Sequence, residues 1–198
     1  MAKTEGLRER RRRQTHREIQ EAALRLAVER GFAKVTVEMI SAEAGVSTRT
    51  FFNYFPSKEA AIIAMPQMPP DEDVAAFATA GPADPGDVLL DLIGLLLRDM
   101  ARHPPERGAL HAMFALGQEH PAVLAAMLAG FEGFQRQLAV TVAARTGDQP
   151  QDEMPRLIAG LALAVIRTGM ENFTTGEDDN AIPYVERAVT TLRALLGR

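Results

Sequence analysis

The sequence predicts an all-α chain: an N-terminal three-helix unit ending in a helix–turn–helix, followed by a C-terminal helical bundle. Three observations carry this. Apolar residues recur at spacings of three and four through most of the 198 residues, the period of one helix face. No segment alternates with the period of a strand. And Gly45-Val46-Ser47-Thr48-Arg49-Thr50-Phe51-Phe52-Asn53-Tyr54-Phe55-Pro56-Ser57-Lys58-Glu59 compresses a turn, a short aromatic helix and a second helix start into one stretch.

In chain order, residues 1–14 read as a polar arm carrying Arg8 and Arg10 to Arg13, suited to phosphates or a minor groove. Gln14 or Thr15 opens the first helix. Ile19, Ala22, Ala23, Leu26 and Ala27 form its inner face, and Arg30-Gly31 close it. Phe32 tucks back against it. Thr36 is a good N-cap for the second helix, with Val37, Ile40 and Ala44 inside. Gly45 turns the chain and Ser47 caps the third helix. There Phe51 and Phe55 share the buried face, while Thr48, Arg49 and Asn53 fall away from it. Pro56 ends it, Ser57 caps a fourth helix, and Ala60, Ile62, Ile63 and Met65 continue to Pro66.

Composition divides the chain into 1–64, a Pro/Gly-rich joint at 65–86, and 87–198. Pro66, Pro69, Pro70, Gly81, Pro82, Pro85 and Gly86 punctuate the joint, with a short helix over 73–80. The body opens with 87–101, apolar nearly all round and so read as a central buried helix. His103-Pro104-Pro105 breaks it. A helix over 106–118 follows. Pro121 then starts a long helix to about Arg145, with Leu124, Met127, Phe131, Phe134, Leu138 and Val142 on one face. Residues 151–174 carry Leu157, Ile158, Leu161, Val165 and Ile166 among Ala159, Gly160, Ala162, Ala164 and Gly169, small residues that permit close backbone approach. Pro183 opens the last helix, striped by Val185, Ala188, Val189, Leu192, Leu195 and Leu196.

Charge separates the two ends. The net charge of −4 comes from 22 Lys+Arg and 26 Asp+Glu. Residues 1–64 hold 12 basic and 8 acidic residues, a net of +4, which leaves 10 against 18, or −8, for the rest. A basic head on an acidic body points the head at a polyanion. The chain has no Cys, which excludes disulfides and thiolate metal sites and fits a reducing cytoplasm. No apolar run is long enough to span a bilayer, and the charged start is not a secretory signal, so no membrane partner is expected. No Ser/His/Asp grouping, phosphate-binding glycine loop or paired metal ligands argue for an enzyme; Glu119-His120 beside Pro121 reads as a helix start. His103, His111 and His120 lack helical metal-pair spacing. The expectation is therefore no catalytic residue, no metal and no cofactor.

The arm, Arg30-Gly31-Phe32, Val35-Thr36-Val37, Ile40, Ala44-Gly45-Val46-Ser47, Thr50-Phe51 and Tyr54-Phe55-Pro56-Ser57-Lys58-Glu59 together resemble the TetR family of bacterial regulators. The resemblance covers roughly residues 10–64; beyond them the body agrees in length, helicity and two long terminal helices. It implies a cytoplasmic, nucleoid-associated homodimeric repressor. Its N-terminal domain would bind double-stranded DNA at a palindromic operator, and its C-terminal domain would hold a small effector and the dimer interface. The Thr-Phe-Phe-Asn-Tyr-Phe-Pro-Ser-Lys-Glu form is similar to an actinobacterial branch with acyl-type ligands, so an apolar or acyl effector is expected.

A major groove admits a helix and is read by its outward side chains. Thr48, Arg49 and Asn53 are the candidate base readers. Arg suits guanine O6/N7 and Asn adenine N6/N7, with phosphate contact the alternative for Arg49. Thr50 suits a phosphate or a thymine methyl. Thr36, Ser47, Tyr54 and Lys58 are candidate phosphate contacts, joined by Arg13 and Arg17. At position 52 the family usually carries Tyr; Phe52 lacks that hydroxyl. In the body, Met100, Met113, Phe114, Met127, Phe131 and Phe134 could line an apolar cavity, and Arg167 or His111 could meet an effector's anionic group. The last two helices of each protomer could form a four-helix seam through Val189 and Leu192. A ligand-free architectural DNA protein and a helical enzyme are the competing readings.

Overall fold

The computed structural model describes residues 7–63 and 67–197, with side chains from residue 11 onward. The side chains of Arg8 and Arg10, and Met65 and Pro66, lie outside the described residues. Every regular element among the described residues is helical. The chain gathers into two compact units, Met1–Pro66 with Gly108–Phe131, and Gln67–Arg107 with Glu132–Arg198. The segment Gly108–Phe131, which composition assigns to the body, thus belongs by its contacts to the first unit.

The first unit opens with α1, Leu7–Arg30. The helix starts well before the expected Gln14 or Thr15, so much of the arginine-rich arm is helical. The reason is local. Arg, Glu and Gln are strong helix formers, and Gln14 bridges neighbouring turns: its amide donates to Glu18 at 2.8 Å and its carbonyl accepts from Arg17 at 3.3 Å. Further along, Ile19, Ala22, Ala23, Leu26 and Ala27 are buried as their spacing requires. Gly31, at φ 82°, reverses the chain into a single 3-10 turn, Phe32–Lys34. Next come α2 (Val37–Glu43), α3 (Thr48–Tyr54) and α4 (Lys58–Ile62). Gly45 turns α2 into α3 at φ 66°, a conformation that costs most side chains but not glycine. Ile19, Val35, Ile40, Phe51, Ala61 and Ile62 are each at most 1% exposed and form the core of this head. Gln20 ties α1 to the end of α4 by donating to the Ile63 carbonyl at 2.7 Å, a carbonyl the helix itself cannot satisfy.

Also in the first unit are most of α7 (Arg107–Glu119) and the first half of α8 (Pro121–Thr146). Met113, Leu116, Val123 and Met127 are buried there. Gly117 admits this packing: a Cβ on it would lie 2.7 Å from the Met127 sulfur. Leu124, expected on the inner face of α8, is 46% exposed.

The second unit begins with α5 (Asp71–Ala78) inside the Pro/Gly-rich segment, then α6 (Pro85–Arg102). Val88, Leu92, Ile93 and Leu95 are buried in α6, as its apolar run predicts. Arg145, in the last turn of α8, organises the segment before it. Its side chain is only 4% exposed, it pairs with Asp91 at 2.8 Å and its Nε donates to the Gly81 carbonyl at 3.2 Å. The guanidinium also lies 4.8 Å from the centre of the Phe77 ring, a cation–π contact.

The unit closes with α9 (Glu153–Thr175) and α10 (Ile182–Leu195), the most extensively packed helix pair. Two glycines set their approach. A Cβ on Gly169 would stand 2.7 Å from Val185 Cα and 2.9 Å from Val185 N. After α9, the Tyr184 ring occupies the space a side chain on Gly176 would need. Tyr184 also accepts from the Asp178 amide at 3.0 Å through its hydroxyl. Arg107, 4.8 Å over the Phe173 ring, donates to the Asp178 carbonyl.

The expected seam residues need correction. Leu192 is buried within its own chain and Val189 is half-buried. The buried face of α9 runs through Ile158, Ala162, Val165, Ile166, Gly169, Met170 and Phe173, which turns Leu157 outward at 52% exposure. Leu195 and Leu196, at the last turn of α10, are exposed as well.

Candidate nucleic-acid interface

The head presents α3 by closing every helix start around it with a hydroxyl. Thr36 Oγ1 accepts from the Met39 amide at 3.3 Å, Ser47 Oγ from Thr50 at 3.0 Å, and Ser57 Oγ from Ala60 at 3.3 Å. Each removes one orphan amide from a helix N-terminus. Below α3, Phe51 is fully buried and its ring centre lies 5.9 Å from that of Phe55. Those two rings fix the rotation of α3 about its axis. Thr48, Arg49, Phe52 and Asn53 are then exposed together on the opposite side. This is the arrangement a major-groove reader needs: a short rigid helix, apolar behind, hydrogen-bonding in front.

The candidate phosphate contacts divide. Thr36 and Ser47 are exposed beside helix-start amides, and Arg17 is exposed on α1. Arg13 is half-buried on α1, one turn before Arg17. The Thr50 hydroxyl shares a 2.8 Å hydrogen bond with that of Ser47, which holds it in the cap. Lys58 has a different position from the one expected. Its ammonium donates to the carbonyls of Phe32 at 3.1 Å and Val35 at 2.8 Å, and sits 4.4 Å over the Phe32 ring. Two of its three protons are thus directed at the protein interior. The physical reason is that the chain leaves the 3-10 turn extended at Val35, whose carbonyl takes no helical donor, while the Phe32 carbonyl, which accepts from the Val35 amide at 3.3 Å, has a second lone pair free; the first turn of α4 brings an ammonium within reach of both. Glu59 in the same first turn complements the helix N-terminus instead.

His16 went unnoticed in the sequence. It packs 4.4 Å from the Phe55 ring and 6.4 Å, edge-on, from Tyr54, so α1 buttresses the end of α3. Burial lowers its pKa from 6.5 to about 4, the Arg12 guanidinium adds to this, and a hydrogen bond with the Gln20 side chain opposes it. The ring is neutral at pH 7. A lone His inside a polar stretch of α1 gave no periodic signal.

The candidate effector residues fall in both units. Met113 and Met127 are buried, and Phe114 and Phe131 half-buried, in the first. Phe134 is buried and Met100 half-buried in the second. The two expected anion partners are on the surface. Arg167 is exposed and pairs with Glu171 one turn on, at 3.0 Å; His111 is exposed on α7. The more buried cations are Arg145, in the last turn of α8, and Arg107, the first residue of α7, whose partners Gly81 and Asp178 lie too far along the chain for a local pattern to reveal.

Comparison with known proteins agrees with this geometry. The family model described as bacterial regulatory proteins, tetR family, matches residues 19–65, and that of the MftR C-terminal domain matches residues 90–197. The HTH-type transcriptional regulator TcmR of Streptomyces glaucescens is 34% identical over 168 residues, covering 82% of this chain and 74% of that protein. The HTH-type transcriptional regulator EthR of Mycolicibacterium smegmatis is 27% identical over 145 residues, with 72% and 64% covered. A TetR-family regulator from Syntrophomonas wolfei shares the fold with a TM-score of 0.54, 13% identity, and 93% and 95% of the two chains covered. The chain belongs to the TetR family of bacterial DNA-binding transcriptional regulators.

Proposed function

We propose that the protein is a homodimeric repressor that reads a palindromic operator through α3 and releases it on binding a small apolar or acyl effector. The observation that carries the DNA half is the outward face of α3, where Thr48, Arg49 and Asn53 stand exposed on a helix fixed from behind by Phe51 and Phe55. Arg49 and Asn53 read base edges. Thr36, Ser47, Tyr54, Arg13 and Arg17 hold the phosphates, with Thr50 positioning Ser47. Lys58 serves the head's own structure. Arg49→Ala is expected to lower affinity for the operator at least tenfold more than affinity for random duplex, measured by gel shift at fixed salt. Equal losses on both DNAs would remove Arg49 from the base-reading set.

Two heads must reach successive grooves, so a dimer is required. Its seam is supported by the apolar residues that the protomer leaves exposed on α9, Met154 at 40% and Leu157 at 52%. Leu157→Glu is expected to yield monomers in sedimentation, since it charges a surface the protomer itself does not bury. The effector reading rests on the buried and half-buried Met and Phe of α7 and the first half of α8 in the first unit, Met113, Phe114, Met127 and Phe131. It is tested by gel shift on DNA flanking the protein's own gene, with fatty acids and acyl thioesters added. An effector that releases the DNA must favour the unbound form by about 1–3 kcal/mol.

A further inference from the structure

We propose that Phe52 is a specificity-determining residue that reads the 5-methyl group of a thymine in the operator's major groove. The inference rests on the reading of α3 as the groove helix and names a contact which that reading leaves out.

The first observation is exposure. Phe52 is 56% exposed, and among the described residues it is the only aromatic in the set of large apolar side chains left on the surface. The second is its place on the helix. At roughly 100° per residue, Phe52 falls about 40° round from Thr48, Arg49 about 100° and Asn53 about 140°, while Phe51 falls about 300° round. Phe52 therefore stands between Thr48 and Arg49, inside the exposed sector. A helix that lays Thr48, Arg49 and Asn53 on base edges must press the Phe52 ring against them too. The third is rigidity. The ring meets that of Phe51 edge-on, with centres 5.4 Å apart and planes at 88°, and Phe51 is fully buried. An edge-to-face contact with an immobile partner pre-orients Phe52 and reduces the entropy lost when DNA binds.

Chemistry then selects the partner. A phenyl ring offers neither donor nor acceptor. Against the N7 and O6 of guanine, the amino group of cytosine or the polar edge of adenine, it would strip water and return no hydrogen bond. The one apolar feature that a base pair shows in the major groove is the thymine methyl. Discrimination thus has two sources, the methyl buried against the ring and the penalty for the polar edges.

The test begins with duplexes selected from a random library by the full-length protein. Each thymine of the winning site is then replaced singly by deoxyuridine, which removes only the methyl. One position in each half-site is expected to weaken wild-type binding by about fourfold, the effect of one buried methyl. Phe52→Ala, and Phe52→Gln as a second variant, should bind thymine and deoxyuridine equally at that position. Phe52→Tyr, which keeps the ring, should retain the difference. Deoxyuridine tolerated at every position overturns the proposal, as does a full methyl effect surviving in Phe52→Ala. If Arg49→Ala still loses operator preference in those cases, the reading of α3 stands and only the role of Phe52 falls. A wild-type protein that enriches no sequence removes both.

Discussion

The head and the second unit hold their helices by different means. In the head, α2, α3 and α4 are 7, 7 and 5 residues long, and each starts with a hydroxyl bonded to an amide three residues on. In the second unit, α6, α9 and α10 are 18, 23 and 14 residues long, and none has a side-chain cap. Length goes with the contrast in these six helices, although α5, eight residues long in the second unit, also starts without a side-chain cap. A helix of two turns makes so few internal hydrogen bonds that its four orphan amides dominate. A helix of five or six turns is carried by the apolar face it buries, and its end matters little. The head is thus specified by polar chemistry at fixed positions, the second unit by shape.

That contrast can be broken in four places. The largest effect is expected at Phe51. Phe51→Ala empties a fully buried site beneath three short helices and should cost about 3–5 kcal/mol in urea unfolding, whatever the caps contribute. Next is Gly169→Ala. The new Cβ would press on Val185 backbone atoms, which cannot swing aside, so a loss of about 1–3 kcal/mol is expected. A neutral result would mean that α9 and α10 are not held by close approach.

The caps come third, and they compare the two regions directly. Ser47→Ala should cost about 0.5–2 kcal/mol, while Asp84→Ala, at the uncapped start of α6, should cost less than about 0.5 kcal/mol near physiological salt. Equal costs would erase the distinction between capped and packed helices.

A fourth effect is a pH dependence confined to the head. The folded pKa of His16 is depressed from 6.5 to about 4. The stability linked to it is fully present above pH 6.5, is lost as pH falls toward 4, and falls no further below that. The melting temperature of wild type should therefore drop over that window relative to that of His16→Gln, which has no imidazole to protonate. Parallel curves for the two proteins would sever His16 from the acid response.

The same contrast explains what could be read from the sequence. Thr36, Ser47 and Ser57 announce the head because a cap is a local relation of three residues, visible in one dimension. Gly45 and the Phe51–Phe55 pair are local too, so the orientation of α3 was legible. The start of α1 was not: its arginines look like a loose arm, yet their helix propensity extends the helix to Leu7. Lys58 has partners that no local pattern announces, since Phe32 and Val35 lie more than twenty residues before it in the chain. In the second unit the helices themselves were legible by period. Their rotation was not, since residues 157–166 of α9 are all apolar or small. On α9 this leaves Leu157 and Met154 outside, and on α10 the expected seam residue Leu192 is buried while Leu195 and Leu196 are exposed. Arg167 interrupts an apolar run and so invited a ligand role, but a partner one turn away suffices for it.

Arg145 bears on a segment that composition marked as a slack joint. Residues 67–86 contain Pro69, Pro70, Pro82 and Pro85, and each proline removes a backbone donor while leaving its carbonyl. Such a segment is short of donors and cannot balance its own acceptors. Arginine has five donors and accepts none. Placed at the end of α8, Arg145 supplies the Gly81 carbonyl from outside the segment and covers Phe77 in the same act. The stretch builds α5 with its own amides, and past that helix it draws a donor from a residue more than sixty positions downstream of the carbonyl it serves.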